Sequence, residues 1–296
     1  MTTVFQNLRG DLRLNEPLAK HTSWRTGGNA NQFYRPEGIK DLAGFLSQLP
    51  EDEPLLWLGL GSNLLVRDGG FAGTVISMSG TLQQLTVNGL TVSAEVGVYC
   101  AKLAKQAARA GLSGTAFLAG IPGTLGGALA MNAGAHNCET WSIVSNVTTI
   151  DRRGVIRVRK PEDFKISYRH VEFPSEEWFV SVTLNLAIGD AVAEAEEIRA
   201  LLKRRNVSQP TNQPCAGSVF RNPEGDFAGR LIEVCGLKGL TVGGASVSEK
   251  HANFIVNEGT ATAADIEALI LLVQKKVELI QGIKLVTEVH VLGEVA

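Results

Sequence analysis

Residues 114–135 read GTAFLAGIPGTLGGALAMNAGA, with Gly114, Gly120, Gly123, Gly126, Gly127 and Gly134 among them and one acid-base-silent stretch throughout. A segment this rich in glycine and alanine is either a linker or a place where the backbone must approach something closely. Phe117, Leu118, Ile121, Leu125, Leu129 and Met131 are too apolar for a solvated spacer. Pro122-Gly123 signals a turn, and residues 126–131 predict a short helix behind it. Backbone N–H groups in such a turn can face a phosphate with no side chain in the way, which makes a pyrophosphate cradle for a nucleotide cofactor one reading. A tight turn between buried elements is the other.

A second glycine loop lies upstream. Leu55–Leu58 predicts a short buried strand running into Gly59-Leu60-Gly61-Ser62-Asn63 and then Leu64-Leu65-Val66. This is a candidate phosphate loop or a plain β-turn. It does not fit the GxGxxG fingerprint, because the sixth position is not glycine and no helix follows. Two such loops in one region favour nucleotide binding without a Rossmann sheet.

Around these loops the pattern mixes strands and helices. Strands are predicted at 31–35, 74–78, 82–87, 90–96, 143–150, 154–159 and 179–186, with Asn88-Gly89 and Asp151-Arg152-Arg153 as hairpin turns. Helices are predicted at 39–49, where Leu42, Phe45, Leu46 and Leu49 keep helical spacing, and at 101–110, ended by Gly111. Composition shifts near residue 190. A charged helix is expected at 191–206, with Val192, Ala195, Ile198, Leu201 and Leu202 inward, and another at 226–236. Strands are expected at 242–247, 253–257 and 284–292, and a helix at 262–281 opens on Thr262-x-x-Asp265 and ends at Gly282.

The chain has 296 residues, net charge -2 and 44% hydrophobic residues, the profile of a globular protein of two or three domains with a sizeable core. The near-neutral charge gives no pull toward nucleic acid or anionic membrane. No apolar run approaches the ~20 residues a membrane span needs, and residues 1–10 carry no signal-peptide core. Cys100, Cys138, Cys215 and Cys235 lack CxxC spacing, and the five histidines lack ligand spacing. Reduced thiols in the cytoplasm and no metal site are expected.

Three polar residues sit in informative contexts: Arg169 in DFKISYRHVEF, Ser218 in AGSVFRNP and Glu288 in LVTEVHVLG. Taken singly, they read equally as a surface charge, a turn hydroxyl and an outward strand residue. No GxSxG elbow or Ser-His-Asp order makes Ser218 a nucleophile.

The motifs PLAKHTSWRTGG, LGLGSNLLV, AGIPGTLGGALAMNAGA, SYR, AGSVFRNPEGDFAGRLIE, GLKG, SEKHANFIVN and TEVHVLG occur in one order along nearly the whole chain. Together they resemble the UDP-N-acetylenolpyruvoylglucosamine reductase family, in its shorter subclass. The resemblance implies an α+β architecture: a two-subdomain FAD-binding fold of the vanillyl-alcohol-oxidase (PCMH) type over residues 1–190, divided at about 75, and an α+β substrate-binding domain over 191–296. It implies non-covalent FAD lined by Gly59, Gly61, Ser62, Asn63, Leu64, Gly120, Pro122, Gly123, Gly126, Gly127 and Ala128, with Gly126 and Gly127 against the diphosphate where a Cβ would collide. Arg169, Ser218 and Glu288 are implied as the catalytic trio, and Asn222 and Lys238 as substrate contacts. The implied reaction takes a hydride from NADPH, by way of flavin N5, to C3 of UDP-N-acetylglucosamine enolpyruvate, and a proton from Ser218 to C2. This chain departs from the family pattern at Leu60 (commonly Gly), Val171 (commonly Ser) and Arg221 (commonly Lys). A different FAD oxidoreductase of the same cofactor fold and a non-enzymatic flavin-binding protein are the rival classes.

Overall fold

Glu177–Asn185 buries Glu177 and Phe179 and then, after a change of phase opposite the register shift at Thr148/Thr149, Val180, Val182 and Leu184, and this strand sits at the centre of a five-stranded antiparallel sheet. The order is Ile156–Arg159, Val144–Asp151, Glu177–Asn185, Thr91–Glu95, Leu85–Asn88. The computed structural model describes residues 5–296, so the expectation for residues 1–10 falls partly outside it. The described residues form two units, 5–13, 32–60 and 73–203 in the first and 14–31, 61–72 and 204–296 in the second.

In the first unit, helix α1 (Ile39–Leu46) buries Leu42, Phe45 and Leu46, and helix α2 (Cys100–Arg109) buries Leu103, Ala104, Ala107 and Ala108. Leu55–Leu58 pairs in parallel with residues 74–77 of the strand Phe71–Ser77. Helix α3 (Leu125–Ala130) forms inside the glycine stretch as expected, and helix α4 (Ala191–Ser208) buries only Ile198 and Leu201. Val192, expected inward, is exposed. The hairpin at 88–89 slips by one residue: Asn88 pairs with Thr91, leaving Gly89-Leu90 as the loop with Gly89 at φ +56.

The second unit holds a separate core of Trp24, Leu65, Val219, Phe220, Leu231, Ile255 and the inner face of helix α6 (Ala263–Gln281). Trp24 Nε1 donates to Ile255 O, and Asn257 Nδ2 donates to Trp24 O. Asp68 accepts the first N–H groups of α6 at Ala263 and Ala264, which the helix itself cannot satisfy. The expected box is present, Asp265 N donating to Thr262 Oγ1, and Gly282 closes the helix at φ +69. The single strand expected at 242–247 is a hairpin instead, Thr241–Val242 against Ala245–Val247, because Gly243 at φ +52 turns the chain. Of the strand expected at 284–292, only His290–Leu292 is regular, paired in parallel with Leu64–Val66. Residues 286–289 instead bond an irregular segment around Val219.

One buried charge supports the central sheet. Glu177 is 4% exposed and accepts from Arg159 Nε at 3.1 Å and Thr149 Oγ1 at 2.6 Å. The Arg159 guanidinium holds its carboxyl down from 4.5 to about 2. Its stabilising effect is complete above the unfolded value and is lost as pH falls through about 2. Glu177→Ala should destabilise the protein by about 3 kcal/mol at pH 7 in urea melts, because Arg159 keeps its charge without its partner. Glu177→Gln should flatten the fall of stability between pH 4.5 and 2. An unchanged acid profile would contradict this.

Candidate functional site

In the first unit the candidate residues gather around the glycine stretch. The N–H groups of Leu125 and Gly126, at the start of α3, donate to Val98 O and Val96 O at 2.9 and 3.0 Å, so both are committed within the protein. A Cβ on Gly126 would press on Val96 Cβ at 3.1 Å, so within the protein the glycine makes room for Val96. Gly120 and Gly127 open onto free space. Thr124, the N-cap residue, is 1% exposed, yet its Oγ1 has no hydrogen-bond partner. A Cβ on Gly59 would lie 2.6 Å from that hydroxyl, so only glycine leaves room beside it. Thr115 Oγ1 is likewise buried without a partner. Buried hydroxyls without partners are costly to the protein alone, and a polar ligand that hydrogen-bonds them removes the cost. The residues present therefore fit a polar, nucleotide-like group beside Gly59, Gly120, Thr124 and Gly127. Thr124 was passed over in the sequence because its role depends on the distant Gly59.

Just beyond α3 the stretch holds Arg169. Lys165–Ser167 and His170–Glu172 form a hairpin with Tyr168-Arg169 as its two-residue loop. Arg169 stands at φ +55, a conformation costly for a side-chain-bearing residue. Its guanidinium lies 4.8 Å above the Tyr168 ring and donates from Nη2 to Gly134 O at 2.7 Å. The nearby Asn132 is buried, and its Nδ2 donates to Ser167 O and Glu139 Oε2, fixing the hairpin to the end of the glycine stretch. Val171, where the family pattern commonly has Ser, is 7% exposed and belongs to the hydrophobic core.

The second unit holds Gly61, Ser62, Asn63, Leu64, Ser218, Asn222, Lys238 and Glu288, so Arg169 and the other two members of the trio come from different units. Gly61 takes φ +59. Asn63 Nδ2 donates to Glu288 O at 3.0 Å, and Asn63 O accepts from His290 N. Glu288 N in turn donates to Val219 O at 2.8 Å. One hydrogen bond thus ties Glu288 to the residue following Ser218, and a second ties it to the Gly61–Leu64 loop. Both Ser218 and Glu288 are half-buried. Asn222 Oδ1 caps the helix α5 (Ala228–Val234) by accepting from Ala228 N, and Lys238 pairs with Glu233 at 2.7 Å. Both therefore have partners within the protein. Among the described residues no cluster of His, Cys, Asp or Glu is placed to hold a metal, and no helix is long and apolar enough to cross a membrane.

Comparison with known proteins finds two families along the chain. Residues 30–159 match the FAD binding domain family, and residues 209–292 match the C-terminal domain of UDP-N-acetylenolpyruvoylglucosamine reductase. The UDP-N-acetylenolpyruvoylglucosamine reductase of Alkalilimnicola ehrlichii is 59% identical, with 96% of each chain covered. That of Legionella pneumophila (strain Lens) is 58% identical over 97% of this chain and 94% of its own. The crystal structure of the enzyme from Thermus caldophilus superposes with a TM-score of 0.82 at 34% identity, over 96% of this chain and 99% of that one. With relatives this similar along nearly the whole length, the chain belongs to the UDP-N-acetylenolpyruvoylglucosamine reductase family and is an FAD-dependent oxidoreductase of α+β fold.

Proposed function

We propose that the chain catalyses the NADPH-dependent reduction of UDP-N-acetylglucosamine enolpyruvate to UDP-N-acetylmuramate, a step in making peptidoglycan precursors. The observation that carries this reading is the Val219 junction, which ties the loop of a half-buried serine to a half-buried glutamate on a chain of this family. Bound FAD supplies the hydride chemistry. Residues of the chain supply orientation, charge and the proton. As hydride reaches C3, negative charge grows on C2 and spreads into the adjacent carboxylate. Arg169, held by Gly134 O and the Tyr168 ring, stabilises that charge, and Glu288 hydrogen-bonds the same group. Ser218 gives its proton to C2, a carbanion being basic enough to take it from a hydroxyl. Gly59, Gly61, Ser62, Asn63, Leu64, Gly120, Pro122, Gly123, Gly126, Gly127 and Ala128 contact the flavin in this reading, and Asn222 and Lys238 the substrate. Residues 1–190 serve the cofactor and 191–296 the substrate, a division the two matched families support. Four free thiols and the lack of a spanning helix among the described residues support a cytoplasmic location.

The purified protein should be yellow, release FAD on denaturation, and oxidise NADPH only when the enolpyruvyl substrate is present. Substrate-independent NADPH oxidation at the same rate would contradict the proposal. Thr124 gives a separate test of cofactor fit. Thr124→Val should leave stability unchanged or raise it by about 1 kcal/mol, since a buried unpaired hydroxyl is removed. The same change should weaken FAD binding by about tenfold, the worth of one hydrogen bond. Equal FAD affinity in equilibrium dialysis would place the ligand elsewhere.

A further inference from the structure

We infer that Asn253 is the positioning residue for Ser218. The inference rests on the reading of Ser218 as the proton donor. Asn253 is 3% exposed. Its side-chain amide spends both polar ends on one residue: Oδ1 accepts from Phe220 N at 3.0 Å, and Nδ2 donates to Phe220 O at 2.8 Å. Its main-chain carbonyl accepts from Val219 N at 2.8 Å. Val219 O receives Glu288 N from the other side. Every main-chain polar group of the two residues after Ser218 is therefore fixed, three of the four by Asn253. The side chains of Val219 and Phe220, 0% and 2% exposed, anchor the same two residues in the core. Before Ser218 stands Gly217 at φ +72, which sets the entry to the loop.

Only a primary amide does this. Aspartate accepts from Phe220 N but cannot donate to Phe220 O, and alanine leaves both groups buried and unsatisfied. A satisfied buried network of this kind rigidifies the segment it holds. Rigidity matters here because a catalytic group must stay within about 0.5 Å of its productive position, and a displacement near 1 Å costs about 10²-fold.

The test uses full-length, FAD-loaded protein with Asn253→Asp, alone and combined with Ser218→Ala. In anaerobic stopped-flow runs Asn253→Asp should keep the rate of bleaching by NADPH within about twofold and slow reoxidation by the enolpyruvyl substrate about 10–10²-fold. In the Ser218→Ala background the same change should slow reoxidation no further, because the group it positions is gone. Amide exchange measured on the free protein should speed up about tenfold in the peptide holding Val219 and Phe220 while α6 stays protected. Losses of equal size in the two backgrounds, equal losses in both half-reactions, or unchanged exchange at 219–220 would each overturn the inference. Normal reoxidation in Ser218→Ala alone would instead overturn the reading of Ser218. If Asn253→Asp does not retain FAD, Asn253→Ser, too short to span both groups of Phe220, is read by the same criteria.

Discussion

Ser218→Ala is expected to bind FAD, to be bleached by NADPH at nearly the normal rate, and to be reoxidised by UDP-N-acetylglucosamine enolpyruvate about 10²–10⁴-fold more slowly, the usual worth of a positioned general acid. The asymmetry follows from the chemistry. Bleaching requires no carbon to be protonated, and reoxidation by this substrate does. The loop itself should survive the substitution, because its fixed points are Val219 and Phe220 rather than the Ser218 side chain. Ser218→Cys should recover part of the rate, since a thiol also donates a proton. If Ser218 only shaped the turn, both half-reactions would fall together or neither would, and cysteine would hold no advantage over alanine. Stopped-flow absorbance of the two half-reactions on one sample distinguishes these outcomes.

The second large effect is expected at Arg169. Its guanidinium is held from Nη2 by Gly134 O at 2.7 Å and from Nη1 by Asn132 O at 3.4 Å, which fixes the head group that the proposed reading sets against the substrate carboxylate. Loss of one preorganised donor to a developing charge costs about 10²–10³-fold. Arg169→Ala should lower kcat by at least that much with normal FAD content. Arg169→Lys should recover little, because a lysine lacks the planar fork that reaches Gly134 O while facing the substrate. The backbone at φ +55 is tolerated by neither alanine nor lysine better than by arginine, so the two variants share any cost of backbone strain. Glu288→Gln keeps the hydrogen bonds of the Glu288 main chain to Val219 and Asn63 and changes only the carboxyl. It should lower kcat while leaving the thermal midpoint within a few degrees. Near-normal turnover in either residue's variants, measured with saturating NADPH, would remove that residue from the mechanism.

Much of the fold was legible because the pattern is local. The periods of α1, α2 and α6, the capping box at Thr262-Asp265 and the glycine ends at Gly111 and Gly282 are written in neighbouring residues. What escaped depends on distant partners. The strand at Asp11–Pro17 carries few apolar residues and is defined by its place in a sheet. Residues 284–289 alternate like a strand but bond an irregular loop, so period alone overextends the element. Val192 continues the apolar spacing of α4 but is exposed.

The site was legible as motifs and not as geometry. Gly59 and Thr124 are far apart in sequence, and only the fold sets one against the other. Asn132 and Asn253 lie inside quoted motifs, yet a single asparagine in a glycine-rich or apolar run carries no local sign that its amide will bind two main-chain groups. That Gly126 also makes room for Val96 follows from the fold and is not written in its neighbours.

The most direct measurement takes wild-type protein reduced with one equivalent of NADPH under anaerobic conditions, adds UDP-N-acetylglucosamine enolpyruvate, and follows the flavin absorbance and the mass of the sugar nucleotide together. The account predicts full return of the yellow colour in one turnover and a product heavier than the substrate by one hydride and one proton. A flavin that stays bleached, or colour that returns while the sugar nucleotide keeps its mass, would contradict it.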